Sequence, residues 1–192
     1  PHLDRMAEEG NVLTQFYVAN TACTPSRAAL LTGTYANRIG MDGGLQKKEG
    51  IPSFIVNFPG DHRGLNPSEI TIAEMLKENG YATGCFGKWH LGDQPEFMPL
   101  AQGFDTYFGI PYSNDMWPGN KRGNPVTNRS PYEPLPIVLQ NKAVAHVSDD
   151  YDQALLAEVI TDEAIKFIRK NKKQPFFCFI PHSHVHNPRF AR

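Results

Sequence analysis

Residues 71–92, "TIAEMLKENGYATGCFGKWHLG", do most to limit what this chain can fold into. Thr71 and Glu74 stand three apart ahead of an apolar-periodic run, the spacing of a capping box, and Gly80 stops the run. "YATGCFG" follows at once, short, apolar and bounded by glycine, which predicts a buried strand. A capped helix feeding directly into a buried strand is half of a strand–helix–strand unit. The same order recurs at the end of the chain. Leu155, Leu156, Val159, Ile160, Ile165 and Ile168 give residues 150–170 a helical stripe, and "PFFCFIP" (175–181) then predicts another buried strand. Near the start, "VLTQFYVA" (12–19) alternates as a strand, and a helix follows with Thr24 as N-cap, Pro25 at the first helical position and Gly33 as stop. "HLDRMAEEG" reads as a short helix closed by Gly10. "PIVLQNKAVAHV" reads as a hairpin turning near Gln140 to Lys142. Residues 35–67 and 92–136 are rich in Gly, Pro and Asn and read as structured loops. The fold class is therefore α/β: a mixed, mostly parallel sheet flanked by helices. In such sheets chemistry gathers at the carboxyl ends of the strands.

Charge and cysteine usage narrow the function. A net charge of −1 over 192 residues gives no footprint for nucleic acid or an anionic membrane. No apolar run approaches the roughly 20 residues of a membrane span, and "PHLDRMAEEG" has no apolar region like that of a signal peptide. Three cysteines, an odd number, argue against a disulfide framework. Cys85 and Cys178 lie in apolar strand sequences and read as buried. Cys23 lies at a turn before a helix.

Polar clusters fall at each predicted strand end. In "CTPSR", Cys23 sits at a helix mouth and Arg27 one turn in, on a similar side. Free backbone N–H groups and the helix dipole favour an anion there, and Arg27 offers a bidentate grip. The same spacing also fits a helix-start cysteine beside a solvated arginine. In "GKWHLG", an extended Lys88 and His90 share a face opposite Trp89, pairing a fixed charge with a proton carrier. An edge-strand pair with Trp89 in the core fits as well. In "PHSHVHNP", His182, His184 and His186 alternate, which suits either a zinc site or one anion-contacting histidine with two supporting ones.

Taken together these motifs resemble the sulfatase family, in particular its arylsulfatase A-like branch within the alkaline phosphatase superfamily. "CTPSRAALLTG" matches the signature C-x-P-S-R followed by a helix and T-G, and "GKWHLG" matches the second signature without change. "QGFDTYFGIPYSND" and "FFCFIPHSHVHNPRF" resemble later family segments, in the right order. The resemblance implies that Cys23 is converted to formylglycine, an aldehyde whose hydrate attacks the sulfur of a sulfate ester and afterwards expels sulfate. It implies that Arg27 steadies this group, Lys88 holds sulfate and His90 manages protons. His186 would bind sulfate and assist the leaving oxygen, and Ser113 would lie beside the sulfate. His182 and His184 match no catalytic position, which leaves little for the zinc reading. Calcium or magnesium is the implied metal, with residue 23 as formylglycine one of its ligands. Implied partners are a sulfated small molecule or glycan, and a formylglycine-generating or anaerobic sulfatase-maturing enzyme. The implied location is periplasmic, secreted or lysosomal.

The family's metal-binding Asp-Asp and Asp-Asn pairs have no counterpart in residues 1–192. The resemblance therefore implies that these residues are part of one sulfatase catalytic domain, truncated at both ends. It further implies that the chain alone binds calcium poorly and turns over little substrate. Two other readings stand beside a sulfuric ester hydrolase. One is a phosphonate or phosphodiester hydrolase of the same superfamily, the other an inert fragment or binding module lacking the metal carboxylates.

Overall fold

The computed structural model describes residues 1–42, 55–120 and 131–190. Its centre is a five-stranded mixed sheet in the order β4-β3-β2-β1-β5. The strands are β1 (Ala82–Lys88), β2 (Thr106–Ile110), β3 (Leu135–Leu139), β4 (Lys142–Val147) and β5 (Phe176–Phe179). β1 runs parallel to both β2 and β5, with Cys85 opposite Tyr107 and Gly84 opposite Cys178. The hairpin β3–β4 adds to β2 in antiparallel fashion.

Side-chain alternation along these strands builds a core on each face of the sheet. Cys85 and Tyr107, with Phe177 and Phe179, pack beneath α2 (Cys23–Thr32) and α3 (Ile72–Glu78). Phe86 and Ile110, with Phe108 and Phe176, meet α4 (Asp150–Asn171) on the other face. α3 has the expected capping box: the Thr71 hydroxyl accepts from the Glu74 N–H, and the Glu74 carboxylate accepts from the Thr71 N–H. The same hydroxyl donates to the Gln102 carbonyl, tying the helix start to the loop before β2. Among the described residues no helix is long and apolar enough to cross a membrane.

The structure corrects several expectations. Residues 12–19 form no strand. Val12, Leu13, Phe16, Tyr17 and Val18 are exposed, and no strand pairs with them among the described residues. Alternation alone does not hold an unpaired strand. α1 (His2–Glu9) forms as expected but buries nothing. α2 begins at Cys23 with Ala22 as N-cap, so Thr24 lies inside the first turn, where its hydroxyl is free for a distant partner. β2 lies within the expected loop of residues 92–136, because five residues between Pro- and Gly-rich stretches give too short a pattern. β5 and Cys178 are half-buried, because β5 is the sheet's edge strand. On α4 the buried face runs through Leu156, Ile160, Ala164 and Phe167, while Ile165 and Ile168 are exposed. The structured-loop reading of residues 35–67 extends in part outside the described residues.

Candidate active site

The chain ends of β1 and β5 and the mouth of α2 converge because two glycines leave room. Gly87 has φ +135°, and a Cβ there would stand 2.3 Å from the Pro181 carbonyl oxygen. That closeness lets the Lys88 N–H donate to the same carbonyl at 2.8 Å, extending the β1–β5 pairing past the last ladder residue. The histidine-bearing loop is thereby held beside Lys88. A Cβ on Gly109, opposite Gly87 in β2, would be closer still to the Gly87 carbonyl. Gly87→Ala is expected to cost about 3 kcal/mol of stability, from backbone overlap plus an unfavourable φ. Urea denaturation of the wild type and the variant measures it.

Lys88 closes β1 and is only 2% exposed. Its ammonium donates to the Ser113 hydroxyl at 2.8 Å and lies within hydrogen-bonding reach of Cys23. Burial pulls its pKa down to about 8, with Arg27 acting in the same direction and Cys23 and Asp115 opposing. Arg27 reaches from the first turns of α2 and donates from Nη1 to the Lys88 carbonyl at 2.5 Å. Burial lowers its pKa too, against the raising effect of Cys23. The two cations therefore stand close together, and each donates to a neutral oxygen. That arrangement lacks a full countercharge and suits an incoming anion.

His90 leaves the strand with φ +64°, so it does not simply alternate with Lys88 as an extended segment would. Trp89 is in the core as expected, with its indole N–H donating to the Phe97 carbonyl. His90 is 1% exposed, and its Nε2 lies 2.9 Å from the Asn57 carbonyl. A carbonyl only accepts, so Nε2 carries the proton and Nδ1 is a bare acceptor. Nδ1 is buried without a partner, which costs on the order of 1–3 kcal/mol unless a ligand or modified group meets it. Burial, then the neighbouring Lys88, push the His90 pKa down to about 3, so the ring is neutral at ordinary pH.

Cys23, Arg27 and His186 line one open cavity of about 440 Å³, together with Asn20, Thr21 and Ser26. The Cys23 thiol is free and half-buried. His186 is exposed; its Nδ1 donates to the Asn187 carbonyl at 2.6 Å and stands 4.0 Å from the Asp115 carboxylate. The three alternating histidines do not share a face, because the loop turns at His184 and Val185. His184 Nε2 goes to the Phe190 carbonyl instead. Among the described residues no three His, Cys, Asp or Glu side chains gather as a cation cage. The described side chains lining the Cys23 cavity are neutral or cationic, with the Asp115 carboxylate standing beyond His186, so this part of the site does not fit a divalent metal on its own.

The structure therefore joins Cys23 and Arg27 to His186 in one cavity, and Lys88 to Ser113, with His90 beside Lys88. Sequence reading missed Asn57 and Asp115. Asn57 falls in a loop without pattern. Asp115 stood inside the quoted "PYSND" motif, where an acid two residues after a sulfate-proximal serine was the available signal.

A helix mouth with a cysteine and two convergent cations, set at the strand ends of a mixed α/β sheet, is an arrangement suited to an anion. The sulfatase family model matches residues 1–192, and the chain belongs to that family. It is 35% identical to arylsulfatase A of Homo sapiens over 100% of this chain and 37% of that protein. Among solved structures, PsFucS1 sulfatase from Pseudoalteromonas sp. superposes with TM-score 0.77 at 25% identity, covering 100% of this chain and 39% of that one. Ps i-CgsB in complex with k-i-k-neocarrahexaose superposes with TM-score 0.65 at 29% identity, over 90% of this chain and 36% of that one. The chain spans little more than a third of the length of these relatives.

Proposed function

We propose that the full-length protein hydrolyses sulfate monoesters at the site built on Cys23. The observation that carries this reading is the buried Lys88 ammonium beside the Arg27 guanidinium, both bonded to neutral oxygens at the mouth of α2. A sulfate monoester brings a dispersed negative charge and builds more on its leaving oxygen. Fixed cations that need no reorganisation stabilise that change most.

Oxidised to formylglycine, residue 23 supplies a hydrated aldehyde as nucleophile. Around it, Arg27 orients the group through the planar fork of its guanidinium. Lys88 holds a sulfate oxygen, with Ser113 fixing the direction of its ammonium. Neutral His90 accepts a proton or hydrogen bond at Nδ1. His186, whose Nδ1 is bonded to a carbonyl, would in its imidazolium form also carry a proton on Nε2 and donate it to the leaving oxygen. Calcium or magnesium is part of the proposal for the full-length protein, but no step is assigned to it, because the described residues do not form its cage.

The substrate proposed is a sulfated glycan or small molecule. The carbohydrate bound by Ps i-CgsB, a relative with the same fold, supports the glycan. Maturation would fall to a formylglycine-generating or anaerobic sulfatase-maturing enzyme, and the location would be periplasmic, secreted or lysosomal. Turnover of an aryl sulfate against an aryl phosphate diester by the full-length protein tests the reading. Preference for the sulfate is expected, and preference for the diester would replace sulfate with phosphate chemistry.

A further inference from the structure

We propose that Thr24 and Asn57 form a clamp that locks His90 in its Nε2-protonated tautomer, making Thr24 a positioning residue of the site. Thr24 is 2% exposed and sits directly after Cys23. Its hydroxyl does not cap α2. It donates to the His90 carbonyl at 2.9 Å, across 66 residues of sequence, and accepts from the Asn57 N–H at 3.1 Å. The Asn57 carbonyl in turn takes the His90 Nε2 proton at 2.9 Å. The loop is tethered at one further point, where the Asn57 amide donates to the Arg63 carbonyl at 2.7 Å.

These bonds close a ring. One hydroxyl fixes both the backbone that carries the imidazole and the backbone that receives its proton. The imidazole then has one orientation and one tautomer, and Nδ1 is its only free acceptor. A ring free to turn or exchange tautomers would offer an N–H where the reaction needs a lone pair. Thr24 is therefore tied to the chemistry through His90 without touching substrate. The clamp deepens the sulfatase reading, on which its consequence for turnover rests.

Nitrogen-15 spectroscopy of histidine-labelled full-length protein near neutral pH tests the clamp, with turnover of an aryl sulfate as a second readout. In the wild type, His90 is expected to carry its proton on Nε2, with slow exchange of that proton. Thr24→Val keeps the volume and removes both hydrogen bonds. It is expected to speed exchange, mix the tautomers and lower kcat roughly tenfold or more with KM little changed. Thr24→Ser keeps the hydroxyl and is expected to retain the wild-type signature and recover most of the turnover. A wild type protonated on Nδ1 would overturn the proposal. So would a Thr24→Val variant with an unaltered His90, or a Thr24→Ser variant as perturbed as Thr24→Val. If the spectra follow the expectation but the wild type turns over no sulfate ester, the clamp stands and the sulfatase reading falls. If turnover is present and His90 ignores Thr24→Val, the clamp falls alone.

Discussion

Cys23→Ala in the full-length protein is expected to lower kcat on an aryl sulfate by about 10⁴-fold or more, the scale seen when a covalent nucleophile is deleted. The fold should hardly notice. Cys23 is half-buried at the first turn of α2, makes no disulfide, and alanine is a good helix former. The loss therefore has to come from chemistry, and a thermal melt alongside the kinetics separates the two. Cys23→Ser is expected to be nearly as inactive, because serine fills the space and keeps a polar group but is not the cysteine that maturation oxidises. Substantial activity in Cys23→Ala would remove residue 23 from the mechanism, and activity in Cys23→Ser without an aldehyde at residue 23 would do the same.

Lys88→Met is expected to move activity and stability in opposite directions. Removing a fixed cation from a buried anion site costs roughly 10²- to 10³-fold in kcat/KM. The fold, by contrast, is relieved of a buried charge. Burial brings the Lys88 pKa down from its ordinary 10.5 to about 8, a penalty of at most about 3 kcal/mol at about 1.36 kcal/mol per pKa unit. Below pH 8 the folded protein carries the full penalty. Between pH 8 and 10.5 the folded state has released the proton while the unfolded state still binds it, so the wild type gains stability as pH rises. The variant should therefore be more stable by about 1–3 kcal/mol at pH 7, and its advantage should vanish near pH 10.5. Urea midpoints of both proteins at the two pH values measure this. A variant less stable than the wild type at pH 7 would mean that the Ser113 hydrogen bond and nearby Asp115 more than offset the burial.

Much of the frame was legible because it rests on local chemistry. The Thr71–Glu74 capping box, the apolar run of β1, the turn at Gln140 and the long amphipathic α4 each declare themselves within a few residues. The polar clusters at residues 23–27, 87–92 and 182–187 were legible as candidate chemistry for the same reason. Where sequence reading failed, a distant partner decides. Residues 12–19 have the alternation of a strand but no neighbour to pair with among the described residues. β5 looked fully buried, yet an edge strand shares only one side. Thr24 had the composition of an N-cap, and its hydroxyl instead chose a carbonyl 66 residues away. Asn57 gave no signal at all, because its role lies in a backbone carbonyl that any residue would carry. His90 was legible as a proton carrier, but its left-handed backbone and its tautomer follow from packing.

The sulfatase reading turns on the chemical state of residue 23. Peptide mass spectrometry of the full-length protein, purified from the cell that naturally makes it, reads that state directly. An aldehyde at residue 23, trapped by an amine-based carbonyl reagent, is the expected result. An unmodified cysteine there, in protein that still hydrolyses a sulfate ester, would contradict it.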